Sequence, residues 1–280
     1  MGREFVYTGV FDEVDAALGE KFSDIIFGED AELLSQAENA QPALLAASIA
    51  AFRAYGDASL PRSDSYVLGH SMGEISALVA AGSLELGAAA KFLRLRGLAM
   101  KRAAKGAMLA CLGLAIEEVR EIAEGINGLY IANDNCPGQV VVSGTEEAVA
   151  KAADAFTAAG AKRAVKLAVT VPAHCPLMEP AAREVEKLLA DIKLLTPKTP
   201  FVSNATALPE SNPEVIKQHL VKQMTHGVRF RECVQFLASA GVDTAIEFGS
   251  GSVLSGLVKR TAEGIKAFPI EKKEDINVLS

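Results

Sequence analysis

The segment Gly69–Gly73, which reads GHSMG, constrains the fold of this chain more than any other feature. The apolar run at 65–69 is typical of a buried strand, and the pattern after it predicts a helix that ends near Gly82. A G-x-S-x-G turn between strand and helix lifts its serine above the end of a sheet. The pattern predicts a nucleophile at Ser71 and an oxyanion-binding backbone N–H at Met72. A tight turn with a solvated serine is the alternative.

Strands alternate with helices along most of the chain, which predicts an α/β protein with a mostly parallel sheet covered on both faces. Because the G-x-S-x-G turn is shared with the α/β-hydrolases, we expect a hydrolase-like core. The apolar patterns of residues 106–171 predict a small ferredoxin-like domain, β-α-β-β-α-β, whose last strand covers 162–171. The ends of such a unit lie close together, so we expect it to be inserted in a large domain of residues 1–105 plus 172–280.

Charge, hydropathy and cysteine usage argue against several classes of protein. The chain has 280 residues, a net charge of −7 and a pI near 5.3, which argues against binding of nucleic acid. No apolar run reaches the roughly 18 residues of a membrane span, and the N-terminus lacks the apolar stretch of a secretory signal. The four cysteines are scattered without a CxxC pair, which argues against disulfides and a metal site and favours a reducing, cytoplasmic setting.

An arginine lies on the apolar side of the helix predicted over 86–105. At about 100° per residue, six apolar side chains fill one arc of roughly 160°: Phe92, Leu93, Leu95, Ala99, Met100 and Ala103. Arg96 falls in the middle of this arc. A buried guanidinium keeps its proton and needs an anionic partner. Two partners stay open, an internal acid such as Glu74 or a substrate carboxylate, which the planar fork of arginine binds in bidentate fashion.

The other side of the same helix carries five bases, namely Lys91, Arg94, Lys101, Arg102 and Lys105. Such a row of bases forms either a solvated helix surface or a docking strip for an acidic partner or for phosphates. The sequence pattern is compatible with both functions.

A serine nucleophile needs a base, and the chain has four histidines. His174 follows a predicted strand and sits in a short loop between two prolines, where α/β proteins place catalytic groups. His70 lies in the turn itself, with its side chain expected to point away from the Ser71 hydroxyl. His219 lies on a polar helix and His226 in a glycine-containing turn. Elimination favours His174 as the base, while a purely structural histidine stays open.

Several separate stretches resemble the bacterial malonyl-CoA:acyl-carrier-protein transacylase family, over about residues 11–260. These stretches are AQPALLAASIA, GHSMGEISALVAAG, RLRGLAM, ANDNCPGQVVVSG, VPAHCPLM and EFGSGSVLSGLVKR. They contain Ser71, Arg96 and His174. Together they are far more specific than the G-x-S-x-G turn alone.

The resemblance implies an acyltransferase of fatty acid biosynthesis. His174 would deprotonate Ser71, which would take the malonyl group from malonyl-CoA and deliver it to the phosphopantetheine thiol of acyl carrier protein. A backbone carbonyl at Gln223 would orient His174, and Arg96 would pair with the malonyl carboxylate. No cofactor and no metal are implied.

The resemblance also marks His70 and Asn133 as candidate pocket residues. This sequence departs from the family at three downstream positions, which are Gly227, Phe230 and Ser250. The family further opens with an apolar strand and a Gly-Gln-Gly-Ser-Gln loop whose glutamine helps to form the oxyanion hole, whereas this sequence begins Met1-Gly2. We therefore expect a truncated start, a gap in the central sheet and weaker oxyanion stabilisation, since one such donor contributes about 3 kcal/mol.

Two other functions stay open. An α/β-hydrolase-type serine esterase would share the turn, but it expects an acid between the serine and the histidine in chain order, and it leaves Arg96 without a role. A truncated, inactive homologue would only bind carrier protein or CoA. The presence of Ser71, Arg96 and His174 together argues against a loss of chemistry.

Overall fold

The structure, a computed structural model, describes residues 9–56 and 65–279 and is an α/β protein. Its helices are α1 (Val10–Leu18), α2 (Phe22–Phe27), α3 (Ala31–Ser35), α4 (Ala37–Tyr55), α5 (Gly73–Ala80), α6 (Leu86–Ala103), α7 (Ile116–Glu124), α8 (Glu146–Ala158), α9 (Glu179–Ala190), α10 (Pro213–Thr225), α11 (Phe230–Ser239) and α12 (Val253–Thr261). Its strands are β1 (Val67–Leu68), β2 (Ala107–Leu112), β3 (Leu129–Cys136), β4 (Gln139–Gly144), β5 (Arg163–Lys166), β6 (Phe201–Val202), β7 (Pro209–Glu210), β8 (Thr244–Phe248) and β9 (Lys266–Ile270).

Among the described residues, the parallel strands form two small sheets, whereas the sequence predicts a single sheet. In the first, β1 pairs with β6 in parallel and β6 pairs with β7 in antiparallel fashion. In the second, β8 and β9 are parallel. Strands β1 and β6 each pair over only two residues, because the chain turns away at Gly69 and at Ser203. The gap expected from an absent N-terminal strand lies outside the described residues.

Residues 107–166 form a four-stranded antiparallel sheet of order β3-β4-β2-β5. Along β2, Leu109 and Cys111 pack against helices α7 and α8, whereas Met108 and Ala110 pack into the main core. This alternation follows from the two-residue period of a strand. Both faces of the sheet are covered, which explains why its central strands read as continuous apolar runs. The prediction of a strand over 162–171 was wrong in its length, since β5 ends at Lys166.

The main apolar core lies between helices α1, α4, α6, α9 and α10. Its largest interface joins α4 to α6, the helix that carries Arg96. Phe92, Leu93 and Met100 are buried there, as the helical periodicity predicts. Leu95 is an exception, because 43% of its surface is exposed. In the described part of the chain, no helix is long and apolar enough to cross a bilayer.

Gly97 sets the distance between these two helices. A Cβ atom at Gly97 would lie 2.5 Å from the backbone N and Cα atoms of Glu38 at the start of α4. A backbone contact this close cannot be relieved by rotating a side chain. The glycine therefore allows α6 to approach α4 closely enough to bury Arg96.

We predict that Gly97→Ala lowers the free energy of unfolding by about 1–3 kcal/mol, because the added methyl forces the two helices apart. Gly256→Ala is the matched control, since Gly256 lies inside α12 and its Cβ would meet nothing within 4 Å. Alanine there should stabilise by about 0.5–1 kcal/mol. Urea unfolding of the two variants measures both effects, and an equal response would contradict the close-contact argument.

Candidate active site

Ser71 stands at a sharp turn between β1 and α5. It is one of three non-glycine residues with positive φ in the described part of the chain, with φ 53°. A Cβ at Gly69 would lie 2.0 Å from the carbonyl carbon and oxygen of Gly73, so only glycine fits at the first position of the turn. Gly73 itself faces open space. Packing among the described residues therefore does not require the second glycine of the turn.

His174 reaches the serine hydroxyl from the loop before α9. Its Nε2 lies 2.8 Å from Ser71 Oγ, and its Nδ1 lies 2.8 Å from the backbone oxygen of Gln223. Because a carbonyl oxygen only accepts, Nδ1 carries the proton and Nε2 is left to accept one from Ser71. His174 also has a positive φ, 62°, so both members of the pair sit on strained backbone.

Burial keeps the imidazole of His174 neutral. Only 4% of the residue is exposed, and desolvation lowers the pKa of His174 to about 3, with further lowering by the nearby Arg96 charge. The hydrogen bond to the Gln223 carbonyl acts in the opposite direction. A neutral imidazole with a free Nε2 lone pair is the form that can take a proton from a hydroxyl.

Arg96 is buried, with 4% of its surface exposed, and its polar contacts are neutral. Its Nη1 donates to Gln41 Oε1 at 2.6 Å, and its Nη2 lies 3.4 Å from Gln223 Oε1. The ion pairs among the described residues do not include Arg96, so the structural pair with Glu74 that the sequence leaves open is not formed as a direct contact. Burial lowers the pKa of Arg96 to about 10, which still leaves the guanidinium charged at neutral pH.

Glu74 is fully buried behind the pair and binds two amides. Its Oε1 accepts from the backbone N–H of Asn204 at 2.6 Å, and its Oε2 accepts from Gln223 Nε2 in a short hydrogen bond. Burial raises the pKa of Glu74 to about 8, although the Arg96 charge opposes this. The side chain of Gln223 therefore lies between Glu74 and Arg96 and links the carboxyl group of Glu74 to the guanidinium of Arg96.

Asn204, which lies just after β6, holds the turn that carries Ser71 in place. Its Oδ1 accepts from the Ser71 backbone N–H at 2.9 Å, and its Nδ2 donates to the Gly69 carbonyl at 2.8 Å. Sequence reasoning missed Asn204 and Gln41, and it gave Gln223 only a backbone role. Gln41 falls within the QPALL stretch, which was a detectable signal for a site residue, whereas Asn204 follows β6 without any motif of its own.

The remaining candidates lie beside the pair. His70 is half-buried and turned away from Ser71, since its Nε2 bonds Asn135 Oδ1 at 2.8 Å and its ring packs on Phe230 at 5.3 Å. Burial lowers the pKa of His70. Asn133 lies two residues earlier on β3, and its buried Oδ1 has no hydrogen-bond partner among the described residues. Asn135 was not singled out by sequence reasoning.

The backbone N–H of Met72 belongs to the same turn and has no acceptor among the described residues. The next three backbone N–H groups bond back to residues 70–72, but no described residue accepts from the N–H of Met72. It lies one residue before the start of α5. The amide is therefore available to a ligand at Ser71.

Three of the five bases on the outer face of α6 form ion pairs within the chain. Arg94 pairs with Glu20, Lys101 with Glu38, and Arg102 with Glu184. These three contacts reduce what is available to a partner and argue against a docking strip along this helix.

Comparison with known proteins places this site in context. Residues 1–278 match the family described as Acyl transferase domain. The malonyl CoA-acyl carrier protein transacylase of Bacillus subtilis (strain 168) is 39% identical over 276 residues, which cover 96% of this chain and 86% of that relative.

Solved structures agree with this match. The acyl-carrier-protein-S-malonyltransferase from Bartonella henselae is 42% identical and has a TM-score of 0.96, covering 100% of this chain and 93% of the other. The structure of a type II PKS acyl-carrier protein in complex with its malonyl-transacylase contains a chain that is 38% identical to this one. Its TM-score is 0.89 over 95% of this chain and 88% of the other.

The depressed pKa of His174 predicts a stability effect of pH. The unfolded chain takes up a proton on this residue below about pH 6.5, whereas the folded protein does so only near pH 3. The contribution of His174 is therefore complete above pH 6.5 and is lost as the pH falls towards 3. Between about pH 7 and pH 5.5, the stability of the wild type relative to His174→Gln should fall by about 1 kcal/mol. Urea unfolding of both proteins at the two pH values measures this, and an unchanged difference would refute a neutral, buried imidazole.

Proposed function

The chain belongs to the acyl transferase domain family, and we infer that it moves malonyl groups from malonyl-CoA to acyl carrier protein in fatty acid biosynthesis. The observation that carries this inference is the arrangement of three side chains. A serine hydroxyl lies 2.8 Å from a neutral imidazole, and a buried guanidinium without a carboxylate partner lies beside them. A hydroxyl and a base can form an acyl-enzyme, and the guanidinium selects an acyl group that ends in a carboxylate.

In the first half-reaction, Nε2 of His174 takes the proton of Ser71 Oγ while the oxygen attacks the thioester carbon of malonyl-CoA. The C–O bond forms, the C–S bond breaks, and the CoA thiolate receives the proton from His174. The carbonyl of Gln223 holds the imidazolium by its Nδ1–H. The N–H of Met72 stabilises the negative charge on the carbonyl oxygen as it develops.

In the second half-reaction, the thiol of the phosphopantetheine arm gives its proton to His174 and attacks the malonyl-Ser71 ester. The new C–S bond forms, the C–O bond between the malonyl group and Ser71 breaks, and Ser71 Oγ recovers the proton from the imidazolium. The same base therefore serves both directions, which is the requirement of a transfer that alternates between two thiols.

Arg96 binds the free carboxylate of the malonyl group. The oxygen atoms of Gln41 and Gln223 fix its plane from two sides, so the guanidinium is oriented before a ligand arrives. Its remaining N–H groups match the two oxygens of a carboxylate.

A serine esterase is less consistent with this site. The partner of His174 Nδ1 is a backbone carbonyl and not a carboxylate, and an esterase has no use for a buried arginine. An inactive homologue that only binds carrier protein or CoA would not need the hydrogen-bonded pair of Ser71 and His174.

The finer architecture is part of the same proposal. The strand order β3-β4-β2-β5 and the separate apolar cluster beneath it support a ferredoxin-like domain at 106–171, inserted in a hydrolase-like large domain of 1–105 plus 172–280. The four cysteines are free thiols, which supports a cytoplasmic location.

Intact mass spectrometry tests the reaction directly. Wild-type protein mixed with malonyl-CoA should gain the mass of one malonyl group, and Ser71→Ala should gain none. Adding holo acyl carrier protein should remove the adduct and place it on the carrier. Release of free malonate without a malonyl-Ser71 adduct would favour the esterase. A protein that forms no adduct, releases no malonate and loads no malonyl group onto carrier protein would favour the inactive homologue.

Arg96→Ala should lower kcat/KM for malonyl-CoA by about a hundredfold or more, because a charge-assisted bidentate contact is lost. The acetyl group of acetyl-CoA has no free carboxylate, so its transfer should change little or improve. Steady-state transfer to carrier protein from both donors measures the ratio. Equal loss with the two donors would contradict the role of Arg96 in binding the carboxylate.

A further inference from the structure

Two connected clefts lead from His174 to the surface beside α7 and α10. The inner cleft, about 680 Å³, is lined by His174, Ile131, Arg120 and Gly227 among others. The outer cleft, about 370 Å³, shares Arg120, Ile131 and Gly227 with it and extends to Lys222. The shared residues make the two clefts one groove that begins at His174 and opens to solvent.

The outer cleft carries unpaired positive charge. Its acids are already neutralised, because Glu232 forms a bidentate pair with Arg229 and Asp134 forms one with Arg231. Arg120 acts on both acids electrostatically but forms no ion pair among the described residues. Lys222, which is exposed on the last turn of α10, likewise forms no ion pair among the described residues.

The inner cleft is lined by Arg120 and by two acids that the outer cleft lacks, Glu124 and Glu179. Glu179 is paired with Arg183, whereas no described residue forms an ion pair with Glu124. Arg120 and Lys222, the bases without an acid partner, both line the outer cleft, so an anionic group is favoured there.

Lys222 is directly coupled to the catalytic pair by the chain. It precedes Gln223, whose carbonyl holds His174, and its own carbonyl accepts from Thr225 Oγ1 at 3.4 Å. Gly227 keeps the groove floor close to β3, since a Cβ there would lie 2.8 Å from the Ile131 carbonyl oxygen. The backbone at 222 thus has a fixed position relative to the reacting atoms, and the lysine side chain extends from it into the outer cleft.

We propose that Arg120 and Lys222 bind the phosphate at the far end of the phosphopantetheine arm, while the arm itself lies along the groove and its sulfur reaches Ser71. The proposal rests on the proposed malonyl transfer. Both CoA and holo acyl carrier protein carry this phosphate next to the same pantetheine. One site would therefore serve the donor and the acceptor in turn.

The test compares substrates that differ in the phosphate. Arg120→Ala/Lys222→Ala should raise KM for malonyl-CoA about tenfold while kcat changes little, because two charge-assisted contacts to phosphate are lost. Malonyl-pantetheine, which has no phosphate, should be used by the variant and the wild type equally well. Lys151→Ala is the matched control, because it removes an exposed base from α8 outside the groove.

The two sources of phosphate are separated by half-reaction. The rate of malonyl-Ser71 formation from malonyl-CoA reports binding of the CoA phosphate. The rate of transfer from preformed malonyl-Ser71 to holo carrier protein, compared with the rate of transfer to free pantetheine, reports binding of the carrier-protein phosphate. A loss with either phosphorylated partner, with pantetheine spared, supports the site and identifies that partner. An equal loss with pantetheine, or no loss at all, overturns it. A wild type that forms no adduct would instead overturn the proposed function itself.

Discussion

Gln223 is the residue on which the site depends, because it contacts His174, Glu74 and Arg96 by three different atoms. Its backbone oxygen fixes the tautomer of His174, its Nε2 binds Glu74 and its Oε1 faces Arg96. Both oxygens of Glu74 accept from N–H donors, so the Nε2 end of the Gln223 amide points to the acid. The carbonyl end is then left for the guanidinium. The orientation of one amide is therefore set by a buried acid behind the pair of Ser71 and His174.

The Ser71 turn and the buried arginine could be predicted from sequence because each has a local signal. Gly69 and Ser71 belong to a five-residue turn, and Arg96 interrupts the apolar arc of one helix. Asn204 has no such signal. It lies more than a hundred residues from Ser71 in sequence, and its role comes from the pairing of β1 with β6, which brings it next to the turn.

The fold was predictable where patterns are long and failed where they are short. The helix predicted over 86–105 has a clear period, and the structure places it at Leu86–Ala103, close to the predicted bounds. Strand β9 was missed, since Lys266–Ile270 contains a proline that argues against a strand except at a sheet edge. Leu95 was assigned to the core because helical periodicity gives an angle but not the width of the surface that neighbouring helices cover.

The burial of Glu74 has a consequence for the occupied site. The acid acts on Arg96 across the Gln223 amide, and burial already holds the pKa of Glu74 near 8. In the proposed complex, a malonyl carboxylate on Arg96 would add a like charge and share the cation, and both effects would raise the pKa of Glu74 further. Under the proposed mechanism, loading would therefore favour the protonated form of an acid that is separated from Arg96 by the Gln223 amide.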